Sequence, residues 1–166
     1  MTAALITATL IGVGGLGYCA VLGFGATASA DVLRHASFSI FFTLVTLLAH
    51  SMTMFYLIGK GKAIREAVSD GGLPTDHYTA VVRARRPVFS VGTLAMGVTM
   101  VAAVLGGGAD TDAIPTGVHT VFAMSALVAN LLAFRVELTA LLAAGQAVTD
   151  VNQLLQQRDP PVGPAQ

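Results

Sequence analysis

Between Arg34 and Lys60 the sequence reads HASFSIFFTLVTLLAHSMTMFYLIG, with no Asp, Glu, Lys or Arg. A helix rises ~1.5 Å per residue, so this run is long enough to cross a hydrocarbon core ~30 Å thick. His50 then falls inside the bilayer, about two-thirds of the way through. Ionisable side chains are costly there, which makes a buried histidine a functional-site hypothesis. Composition points the same way. Soluble domains carry about 25% charged residues, whereas this chain is 11% charged and 54% hydrophobic.

Four apolar segments stand out, at about 3–26, 31–59, 87–108 and 115–138. The first is too long for a signal-peptide core and suits a retained span. The links are a short loop near Thr27–Ala30, a long polar loop 60–86 and a short acidic loop 108–114. Within the long loop, Lys62 to Ser69 can form a short interfacial helix, which Gly71, Gly72 and Pro74 break. His77 reads as a solvated loop histidine. Val136, Thr139, Leu142, Val148, Val151 and Leu155 recur near helical spacing, so 139–157 is expected to be an amphipathic helix with one buried face. The Pro-rich ending 158–166 reads as a disordered tail.

Eight of the nine basic residues fall in the 60–86 loop or after the fourth span, and only Arg34 lies on the other side. By the positive-inside rule both termini are cytoplasmic. The expected fold class is all-α: an integral membrane four-helix bundle, up-down-up-down, with a cytoplasmic C-terminal amphipathic helix. A bacterial inner membrane is the expected location. The composition offers no basic face for nucleic acid. The lone Cys19 supplies neither a disulfide framework nor a zinc motif. Small residues at Ala8, Gly12, Gly15, Cys19 and Gly23 line one stripe of the first span. Such a stripe admits a neighbouring helix backbone or makes room for a flat macrocycle.

In this topology spans two and four run the same way and are diagonal across the bundle. His35 lies near the start of one, after a Ser29 cap, and His119 near the start of the other, after Pro115. Both are roughly 6–8 Å below the outer helix ends. Two imidazoles at equal depth on diagonal helices can reach one iron from opposite sides. His50, fifteen residues past His35, is ~22 Å deeper and turned by about 60°. Met96 matches its depth on the third span, and Met54 and Met100 are near, so His/Met ligation of haem or a Cu(I) site is chemically reasonable. The alternatives are apolar filler for the methionines and a hydrogen bond to Ser, Thr or a carbonyl for His50. Arg34 can pair with a haem propionate or reach lipid headgroups. Every Asp and Glu reads as lying in or near a loop, and Asn130 reads as an interhelical hydrogen-bonding residue.

The layout of His35, His50 and His119 resembles the four-helix membrane cytochrome b proteins, in which one helix carries two histidines and the diagonal helix a matching pair. Ala133 and Phe134 stand where the fourth histidine would be. The resemblance covers spans two and four and implies a single bis-histidine haem b between His35 and His119. Three functions follow as expectations. The first is a small b-type haem protein, an electron carrier or haem-bearing subunit of a redox complex. The second is a non-catalytic accessory subunit, or one that binds a chlorophyll-type pigment. The third is a Cu(I)-handling protein. Partners are the lipid bilayer and other membrane subunits or further copies of the chain.

Overall fold

Large apolar side chains face outwards along this chain's helices, and a few polar ones are buried beside an apolar core. In the computed structural model, which describes residues 1–158, the chain forms four helices: α1 (Thr2–Gly25), α2 (Ser29–Asp70), α3 (Asp76–Asp110) and α4 (Thr116–Arg158). All four are long and apolar enough to cross a membrane. Phe24, Leu44, Phe55, Leu94, Val104 and Val121 face outwards and are exposed. Thr9, Thr46, His50, Thr53, Thr99, Asn130 and Glu137 are buried. In hydrocarbon an outward apolar face costs nothing, and each inward polar group must find a partner within the bundle.

Each helix lies against the next in the chain, and α4 closes on α1. The α2 and α4 helices touch across one diagonal, while α1 and α3 do not meet. That contact positions everything described below. Close approach of α1 to α2 depends on glycine. A Cβ at Gly12 would lie 3.0 Å from the Thr46 Cα, and backbone cannot yield as a flexible side chain can.

The long loop expected over 60–86 is replaced by helix. The α2 helix continues to Asp70, and α3 begins at Asp76, taking His77 into its first turn. Only 71–75 forms the turn. Gly72 adopts the left-handed conformation (φ 57°), and the Leu73 N–H reaches back to the Val68 carbonyl at 2.9 Å. A left-handed residue costs glycine little, so the helix ends there. Pro87, expected at a span boundary, lies within α3. It removes one backbone donor, a loss that helices in a bundle tolerate. Ser29 is the first residue of α2 rather than its cap. Ala28 holds the cap position, with no side-chain bond.

The reason helix wins over 60–86 is burial. Gly61, Ile64 and Val68 on α2, and Val81 and Val88 on α3, are buried at helical spacing. Ile64, Val68, Val81 and Val88 meet Leu141, Ala144, Ala147 and Val151 of α4 in one apolar core, while Gly61 faces Arg85 of α3. At 42 residues, α2 is ~63 Å long, about twice a hydrocarbon core. The 139–157 stretch is no separate element, since α4 is unbroken from Thr116 to Arg158. The tail expected over 158–166 lies, from residue 159 on, outside the described residues.

Candidate functional site

His35 and His119 come together near the end of the bundle opposite the 71–75 turn. Their ring centroids are 6.2 Å apart with planes at 70°. The same local device holds each ring. His35 Nδ1 donates to the Cys19 carbonyl at 3.0 Å, and His119 Nδ1 donates to the Ala102 carbonyl at 3.1 Å. A carbonyl only accepts, so in both rings Nδ1 carries the proton and Nε2 keeps its lone pair. A glycine stands four residues beyond each acceptor, Gly23 on α1 and Gly106 on α3. A Cβ would come to 2.9 Å from His35 Cε1 at the first and 3.1 Å from His119 Cε1 at the second. Each hairpin thus presents one imidazole in the tautomer that metal ligation uses, oriented by a backbone carbonyl.

Two cavities flank the pair. One of about 320 Å³ reaches the helix ends and includes Ala20, Phe24, Val32, Ala123 and Met124 in its wall. A deeper one of about 70 Å³ is bounded by Cys19, Ser39, Thr99 and Ala126. Both touch His35, His119, Ala20 and Ala123. Small side chains therefore leave a slot beside the two rings. Asp110 and Asp112 stand at the wider cavity. Arg34 is not in either lining; it is exposed and bonded to Asp31 at 3.3 Å.

The second polar centre lies deeper, toward the 71–75 turn. His50, Asn130 and Glu137 are all within 1% of complete burial. His50 Nδ1 meets Glu137 Oε1 at 2.6 Å, and its Nε2 meets Asn130 Oδ1 at 2.8 Å. Asn130 Nδ2 donates to Thr99 Oγ1 and to the Ala126 carbonyl, both at 2.7 Å. The Ala126 bond fixes the amide's orientation, so Asn130 Oδ1 can only accept and His50 Nε2 must donate. The remaining proton lies between Nδ1 and Oε1. Either an imidazolium faces a carboxylate or an imidazole faces a carboxylic acid, and both arrangements are neutral as a pair. Thr9 on α1, 3.5 Å from Glu137 Oε2, joins the network to the first helix. All four helices thus contribute to it.

Glu137 corrects the expectation that every acidic residue lies in or near a loop. Ala133 and Phe134 stand where a histidine matching His50 would be in the diagonal register. The partners stand one turn to either side, at 130 and 137. Because both ring nitrogens are hydrogen-bonded, His50 has no lone pair free for a metal in this arrangement. The Met96 sulfur receives the Ser51 hydroxyl at 3.7 Å. Among the described residues no three His, Cys, Asp or Glu side chains are grouped to hold a metal ion.

The pair of rings offers only two protein ligands, too few for most bare ions. Two axial imidazoles suffice for a haem, which brings its own in-plane nitrogens. Two ligands ~2.0 Å from a shared metal, on opposite sides, place imidazole centroids roughly 6 Å apart. The tautomers and ring spacing suit that group, whereas the acidic residues at the wider cavity supply no cation for its propionates. No protein-family model matches this sequence, and no curated protein or solved structure does so either.

Proposed function

We propose that this chain is a small b-type membrane haem protein that binds one haem between His35 and His119 and serves as an electron carrier or as the haem-bearing subunit of a redox complex. The observation that carries the reading is the matched pair of imidazoles 6.2 Å apart, each with Nδ1 committed to a carbonyl. The bound group supplies reversible one-electron chemistry. His35 and His119 would hold the group, and Gly23, Ala20, Gly106 and Ala123 leave room beside the rings. The basic asymmetry supports cytoplasmic termini, so the site lies toward the opposite, outer face of a bacterial inner membrane. Arg34, one residue before His35, lies outside both cavity linings and would have to leave Asp31 to meet a propionate.

The test is the reduced visible spectrum, with metal analysis, of protein purified from a haem-producing host. A low-spin spectrum is expected, lost or converted in His35→Ala and in His119→Ala and retained in His77→Ala. Pure protein that is colourless and metal-free would falsify the reading and leave a non-catalytic accessory subunit.

One observation favours a second reading. Asp110 and Asp112 border the cavity, and among the described residues no Lys or Arg lines it. That rim suits a ligand without carboxylates, such as a chlorophyll-type pigment, or a soft cation such as Cu(I) on the two imidazoles. The same spectrum and metal analysis separate these outcomes.

A further inference from the structure

The two oxygens of Glu137 have unequal surroundings. Oε1 is held by His50 Nδ1 at 2.6 Å. Oε2 has only the Thr9 hydroxyl at 3.5 Å, and that hydroxyl also reaches the Leu5 carbonyl at 3.1 Å. Thr9 has one proton to give, and the carbonyl, which can only accept, takes it in the shorter bond. The Thr9 oxygen lone pairs remain open. Oε2 therefore has no committed donor, yet it has an acceptor beside it. An ionised carboxylate needs donors at both oxygens, and this site commits one. A carboxyl protonated at Oε2 would donate to Thr9 Oγ1 while Oε1 goes on accepting from His50.

A second observation concerns completeness. Thr53, three residues past His50 on α2, is fully buried, and its hydroxyl has no hydrogen-bond partner. A network that serves only to lock helices together gains from complete satisfaction; a half-satisfied one is a net cost. A carboxylate oxygen without a committed donor, inside an otherwise bonded network, marks a place where hydrogen bonding changes. Ionisable residues inside a membrane bundle are the usual sites of proton handling.

We propose that Glu137, with His50 and Thr9, forms a proton-binding site inside the bundle, and that Oε2 takes up the proton from solution. A lone pair on Oε2 forms one O–H bond as the O–H bond of a solvent hydronium breaks and water is released, and the His50–Glu137 pair passes from neutral to a single positive charge. From α1 the site meets Thr9, from α3 Gly92 and from α4 Asn130, and α2 adds Met54. Among the described residues no other charged or titratable side chain is bonded to either partner. The site does not depend on the haem reading.

The chain has only two glutamates, Glu66 and Glu137. Carboxyl-labelled glutamate in the full chain, in lipid nanodiscs, therefore gives two 13C resonances, and Glu66→Gln assigns one. The remaining resonance is expected to move as the pH of the sample is changed. Its transition should be displaced in His50→Gln and in Thr9→Val, and unchanged in Asp112→Asn. A Glu137 resonance invariant with pH overturns the proposal, and so does a transition indifferent to both neighbouring substitutions. The first readout needs no change at the site, so a variant that fails to fold does not blunt it.

Discussion

At the scale of single residues, the two imidazoles depend on neighbours that have no side chain. Gly23→Ala places a Cβ 2.9 Å from the His35 ring, against 3.1 Å for Gly106→Ala and His119. Either ring must tilt and weaken its Nδ1 bond, a strain of about 1–3 kcal/mol. We expect cofactor occupancy, read as absorbance per protein, to fall in both variants and further in Gly23→Ala. Gly14→Ala and Gly17→Ala meet nothing within 4 Å and should leave occupancy unchanged. In the deeper network, Asn130→Ala strands the His50 Nε2–H and removes the donor to Thr99. A loss of about 1–3 kcal/mol is expected, measurable as reduced resistance to unfolding in mixed micelles. His35 and His119 were legible in the sequence because each lies a similar short distance from a helix start, and depth survives the passage from sequence to fold. Glu137 was not, because its nearness to Arg135 makes it read as interfacial. The sequence shows charge along the chain and does not show which way a residue two places from an arginine turns.

At the scale of the elements, α2 and α4 run in register. Eleven residues past His35 and His119 stand Thr46 and Asn130, and eighteen past them Thr53 and Glu137. All four are buried. The polar positions of the two helices match while their chemistry differs, so the upper centre is symmetric and the lower one is not. The 60–86 stretch was misread because Lys60, Lys62, Arg65, Glu66, Arg83, Arg85 and Arg86 dominate its composition. The signal for helix was present in the 61, 64, 68 spacing of Gly, Ile and Val, a stripe too narrow to stand out among charges. That stripe closes against α4. Leu141 is 2% exposed, and Leu141→Ala should cost about 2–5 kcal/mol. Deleting 139–166 should lower yield and stability in detergent, because it uncovers Ile64, Val68 and Val81. Unchanged assembly after that deletion would show that α2 and α3 are stable without this cover.

For the whole molecule, four helices are long and apolar enough to cross a membrane, and the distribution of Lys and Arg supports a sidedness. Cysteine placed at residue 110 should react with an impermeant reagent in intact cells, whereas cysteine at residue 70 should react only after permeabilisation. Cys19 is buried and should contribute little background. Labelling of residue 70 from outside would reverse the orientation and, with it, the face toward which the two histidines lie.

The placement of those histidines also bears on how the molecule is put together. Each ring is secured within its own hairpin, His35 by α1 and His119 by α3, yet the two rings face each other across the seam between hairpins. A ligand gripping both would act as a clasp between two half-molecules, adding RT ln(1 + [L]/Kd) to their association. Each half carries its own oriented imidazole before the other arrives. A chain severed in the 71–75 turn and expressed as two pieces should therefore reunite around the ligand, and come apart more readily without it.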